Sequence, residues 1–137
     1  MEDLEGQHIP NGVDLFKHLI KTAYRNELNP GMVLTFVTLS AESITDGNPG
    51  REYFLQRYSN LRNEITDAFI AVAKEEKTTI NINDAFMASS AILAVMDGLQ
   101  FQWLLDRKNV KLADYTEYAI TAIVRSVIPL NGKSSTL

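Results

Sequence analysis

Residues 49–77 read PGREYFLQRYSNLRNEITDAFIAVAKEEK, and the placing of their apolar side chains decides the fold class. Phe54, Tyr58, Leu61, Ile65, Ala68, Phe69 and Val72 recur three and four residues apart, with charges opposite. That is the period of a helix with one face on a core. Pro49 suits a first helical position, because its φ is already helical and its missing N–H has no partner to lose there. The spacing predicts a helix from Pro49 to about Lys77.

Working outward, Thr78-Thr79-Ile80-Asn81 has strand propensity but no second strand to pair with, so it reads as a loop. Ile82 to about Arg107 is apolar nearly all round through Met96, which predicts a central helix contacted on several sides. A last helix from Leu112 to Ile128 stops at Pro129. Upstream, Asn29-Pro30-Gly31 predicts a helix from Pro30 to about Thr45, with Asn29 as its cap and Asp46-Gly47 closing it. Leu15, Phe16, Leu19, Ile20 and Ala23 mark a first helix, capped by Asn11 and running to about Leu28. The expected fold is all-α, a five-helix antiparallel bundle over residues 12–129. A flexible lead-in at 1–11 and a disordered tail at 130–137 flank it.

Composition removes several function classes. The 137 residues are 45% hydrophobic and 22% charged and contain no cysteine, so a folded domain without disulfides or thiolate metal sites is expected. A net charge of −4 and a pI near 5.1 argue against a phosphate-gripping surface. The N-terminus is acidic where a secretory signal needs a basic start, and the apolar stretch Ala85 to Met96 is too short for a membrane span, so a cytoplasmic chain with no membrane partner is expected. His8 and His18 lack the spacing that puts two ligands on one helical face, so no metal site is expected. Neither glycine-rich phosphate loops nor a serine with a histidine base occurs; no catalytic residue and no cofactor is expected, and the chain does not read as an enzyme.

Asp97 stands out, because it interrupts an apolar helix and is followed by Gly98 and Gln100. A buried carboxylate without a partner is too costly to persist, so it must meet a neighbouring segment, water or a ligand. Gly98 costs the helix roughly 1 kcal/mol relative to alanine, which points to close approach by another backbone.

Two stretches resemble the ligand domain of TetR-like transcriptional regulators. One runs from Pro30-Gly31-Met32 through Leu39-Ser40-Ala41-Glu42-Ser43 to Asn48-Pro49-Gly50-Arg51-Glu52-Tyr53-Phe54 and Arg57-Tyr58; the other is Ala94 to Asp106. Their order and spacing cover roughly residues 13 to 128. The resemblance implies a homodimer joined by its last two helices, with a mostly apolar pocket for a small apolar or amphipathic effector. It also places a helix-turn-helix DNA reader before such a domain, where this sequence has an acidic lead-in; DNA would be contacted only through that missing reader.

For the pocket, inner stripes of large and adaptable side chains nominate Phe16, Leu19, Met32, Phe36, Tyr58, Leu61, Phe86 and Ser90, with Asp97 as a polar anchor. The same stripes also suit a filled core, as in a helical dimerisation module with no effector. For the dimer, Ala85, Ala88, Ile92, Val95, Leu99 and Trp103 form one stripe on the fourth helix, while Met87, Ala91, Ala94, Gly98, Phe101 and Leu105 form a second. Tyr115, Tyr118 and Ala122 widen the apolar arc of the fifth. Two stripes imply two neighbours, so Ala94, Gly98, Phe101, Leu105, Tyr115, Tyr118 and Ala122 are the expected interface.

Overall fold

A computed structural model describes residues 10–129; His8, most of the lead-in and the tail lie outside them. The described residues form five helices and no strand: α1 (Val13–Asn26), α2 (Pro30–Glu42), α3 (Arg51–Glu75), α4 (Ile82–Leu105) and α5 (Leu112–Val127). The chain is all-helical in the order expected, with ends a few residues inside the expected ones.

The differences lie in the caps. Pro30 opens α2 in the first turn, but the Asn29 side chain donates back to the Arg25 carbonyl at 3.2 Å instead of capping. Asn48 accepts from the Gly50 N–H at 2.8 Å, and α3 starts at Arg51, two residues after its proline. At α1 the N-cap is Gly12, with φ +62°, and Asn11 accepts from the Gly12 N–H at 2.8 Å. The side chain that does cap a helix is Asn81, whose Oδ1 accepts from the N–H groups of Asn83 and Asp84 at 2.8 and 3.3 Å.

α4 packs against α2, α3 and α5, while α1 closes the far side against α3 and α5. The main core lies where these meet. Phe16 and Phe69, both fully buried, meet edge to face at 5.0 Å between centroids, with Ile65, Ile92, Ile120, Val124 and Ile128 around them. Between α3 and α4 the core holds one buried polar pair: the hydroxyls of Thr66 and Ser89 lie 2.9 Å apart, so that one donates to the other while the second donates to the carbonyl one turn back on its own helix. A smaller cluster of Val33, Trp103 and Leu112 ties α2 to the C-terminal end of α4.

α2 contributes little to either core. Val33 is its one buried residue, and Met32, Leu34 and Leu39 are all more than half exposed. α4 is also incompletely covered. It is the one described helix long and apolar enough to cross a membrane by length and composition, yet 22% of its most apolar stretch is buried within the chain. The first of its two stripes faces inward, with Ala85, Ala88, Ile92 and Trp103 buried and Val95 and Leu99 half-buried; every residue of the second is exposed. Gly98 lies on that exposed side, and a Cβ built there meets nothing within 4 Å. The expected close approach of another backbone to Gly98 is therefore not made by the described residues.

Because Phe69 is enclosed while Met32 is largely in solvent, Phe69→Ala should lower unfolding free energy by about 3–5 kcal/mol in urea titrations, against less than about 0.5 kcal/mol for Met32→Ala. Equal losses would place the core elsewhere.

Candidate ligand-binding site

Because α2 packs on α4 and leans away from α3, a trough opens between the three helices. Side chains span it at Phe36 of α2, whose ring meets Phe54 of α3 at 5.6 Å between centroids. The trough has a volume of about 610 Å³. α3 contributes Arg51, Phe54, Leu55, Tyr58 and Arg62; α2 and the turn after it contribute Phe36, Val37, Ser40, Ala41, Ser43 and Ile44; α4 contributes Asp97, Gly98 and Phe101. Phe54, Tyr58 and Arg62 follow one another at four-residue spacing, so they stand in a row on one face of α3.

The wall is held by one short hydrogen bond. Tyr58 donates its hydroxyl to Asp97 Oδ2 at 2.6 Å, joining α3 to α4 across thirty-nine residues of chain. Burial pushes the Asp97 carboxyl above its ordinary range, while the Tyr58 bond and the charge of Arg57 pull in the opposite direction. Burial, then the bond to Asp97, pushes the Tyr58 phenol far above its usual range, so it stays a donor. Arg57 lies against the Phe36 ring at 5.1 Å from its centroid, with its Nε buried and unpartnered. At the α2 end, Arg51 donates to the Ile44 carbonyl at 2.6 Å and pairs with Asp46 at 3.3 Å.

Of the nine residues nominated from sequence, Phe36, Tyr58 and Asp97 line the trough. Phe16 and Leu19 belong to the closed core, and Leu61 packs on its edge. Met32 is exposed on the outer side of α2, and Phe86 and Ser90 are exposed on the first half of α4. Ser90 is one position out of register: Ser89 is the serine that faces α3, and it is occupied by Thr66. Arg62, Phe54 and Ile44 were not nominated, although continuing the Phe54–Tyr58 spacing by one turn reaches Arg62 directly. Phe101, placed on the dimer stripe from sequence, lines the trough.

The seven side chains expected at a dimer interface, Ala94, Gly98, Phe101, Leu105, Tyr115, Tyr118 and Ala122, are all exposed. Tyr118 is 78% and Leu105 74% accessible, values far from a covered apolar surface. Between α4 and α5 this face forms a groove of about 410 Å³, lined by Ala94, Val95, Gly98, Leu99, Gln102, Tyr115, Tyr118 and Ala119. Gly98 lines both the groove and the trough.

No family model, no curated protein and no solved structure matches this chain. The reading of the site therefore stands on its geometry. No group of three or more His, Asp or Glu side chains able to hold a metal ion occurs among the described residues, and His18 is a half-buried residue of α1. The trough offers apolar rings, two guanidinium groups, serine hydroxyls and one tethered carboxylate, a set that binds and orients but supplies no activated nucleophile.

The Tyr58–Asp97 bond has a measurable signature. The folded pKa of Asp97 lies above its unfolded value, so folding takes up a proton between the two, and stability falls as pH rises through that window. Tyr58→Phe removes a bond that favours the carboxylate. The Asp97 carboxyl resonance should then titrate at higher pH than in wild type, and stability at neutral pH should drop by about 1–2 kcal/mol. An unchanged or lower midpoint would show that the bond does not hold the carboxylate.

Proposed function

We propose that this chain is the effector-sensing and homodimerisation domain of a TetR-like transcriptional regulator. The observation that carries the reading is the double use of α4: Asp97, Gly98 and Phe101 form one wall of a ligand-sized trough, and Ala94, Gly98, Phe101 and Leu105 form an exposed apolar stripe beside Tyr115, Tyr118 and Ala122 of α5. An all-helical architecture, the order of the segments and the resemblance of residues 30–58 and 94–106 support it. An apolar or amphipathic effector enters the trough, and a second copy covers the α4–α5 face, so that two helices from each subunit form a four-helix contact.

The sharing of Gly98 and Phe101 gives such a domain its means of signalling. A ligand that shifts α4 to seat itself against Asp97 and Phe101 also shifts the surface on which the second copy rests, which couples effector binding to the relative orientation of subunits. DNA contact belongs to a helix-turn-helix reader, which the resemblance places before a domain of this kind; the acidic balance of this chain gives it no phosphate-gripping face of its own.

A second reading, a helical dimerisation module without an effector, draws support from the closed packing around Phe16 and Phe69. In that case the trough is covered by another chain and takes no small molecule.

Sedimentation equilibrium tests the interface. The chain should sediment at twice its 15.4 kDa subunit mass, and Ala94→Glu or Ala122→Glu, each placing a charge on the exposed stripe but away from the trough, should weaken association by at least about tenfold with unchanged helical circular dichroism. A wild-type monomer at high concentration would overturn the dimer.

A further inference from the structure

We propose that the trough selects an amphipathic anion, a molecule with an apolar tail and a carboxylate or comparable acidic head, and that Arg62 is the residue that holds the head. The proposal rests on reading the trough as a ligand site and adds the chemical class of the ligand.

Two guanidinium groups line the trough against a single carboxylate. Arg51 is already satisfied by the Ile44 carbonyl and by Asp46. Asp97 accepts from Tyr58 and lies within the field of Arg57. Arg62 is different: it is half-buried, and its guanidinium has no ion pair or hydrogen bond among the described residues. Arg51–Asp46 is the one ion pair between described residues, so what sets Arg62 apart is its place: a half-buried cation at the wall of an apolar trough, with no carboxylate on it.

The layout also fixes a direction. Arg62 and Arg51 lie eleven positions apart on α3, roughly 16 Å along its axis, with Phe54, Leu55 and Tyr58 between them. Phe36 and Phe101 face that interval from α2 and α4. A ligand with its head at Arg62 therefore lays its tail toward Phe54 and Ile44, covering apolar wall along its length. The planar fork of the guanidinium can meet both oxygens of a carboxylate at once, which a hydroxyl head cannot match.

Displacement of the neutral fluorophore N-phenyl-1-naphthylamine from the 137-residue chain by decanoate, 1-decanol and decylamine provides the test. Decanoate should displace the probe at about tenfold lower concentration than decanol, with decylamine weakest, a difference within the reach of one charge-assisted bidentate contact. Arg62→Met should bring the decanoate-to-decanol ratio to about one, Arg62→Lys should restore part of it, and thermal melts would show both variants folded. Probe bound and displaced equally by acid and alcohol, or best by the amine, would overturn the anion assignment while leaving the ligand site standing. No binding of the probe at all would overturn the ligand site, and the assignment with it.

Discussion

Helix α4 carries apolar side chains around most of its circumference, and the rest of the chain covers one side of them. α3 and α5 bury Ala85, Ala88, Ile92 and Leu93, and α2 reaches its C-terminal end at Trp103. The rest of the molecule is arranged around this excess. A helix of this composition is stable in water only if its remaining faces are few or are covered by something else. Among the uncovered side chains are a stripe from Met87 to Leu105 and the short wall Asp97–Gly98–Phe101 of the trough, which share Gly98 and Phe101. The functional reading follows from asking what covers each.

Asp97 shows how such a helix tolerates a carboxylate. Withdrawal from water raises the free energy of its charged form, and the compensation is a single 2.6 Å bond from Tyr58 with the field of Arg57 beside it. The bond also ties α3 to α4 beside the trough, where Tyr58, Leu61 and Met96 pack on the edge of the core. Among the polar groups of the trough, Tyr58, Asp97 and Arg51 hold the walls to one another, whereas Arg62 has no ion pair or guanidinium hydrogen bond among the described residues.

The fold was legible because periodicity is a property of whole helices. Ile65, Phe69 and Val72 repeat often enough that an error at one position does not change the reading, and the order of five helices follows. Single positions were harder. Ser89 and Ser90 are chemically identical, and a rotation of about 100° decides which of them meets Thr66. Phe16 and Phe36 are equally large, but whether an aromatic fills a core or lines a gap depends on how far two helices stand apart, which no local pattern encodes. The trough exists because α2 lies on α4 and leans from α3, a matter of tertiary packing. Asn29 illustrates the same limit at a helix end: its composition fits a cap, and its side chain turns to Arg25 instead. The two stripes of α4 could be told apart from sequence, the first facing inward and the second exposed, but the pattern did not show that Gly98 and Phe101 of the second also line the trough.

The claim that α4 has an apolar face meant for a second copy of the chain is most directly tested by amide hydrogen exchange at low and high protein concentration. If the exposed stripe is an interface, amides of residues 94–105 and 115–122 should exchange more slowly as concentration rises, while those of the outer turns of α1 and α2 keep their rates. Rates in 94–105 and 115–122 that do not change with concentration would contradict the account.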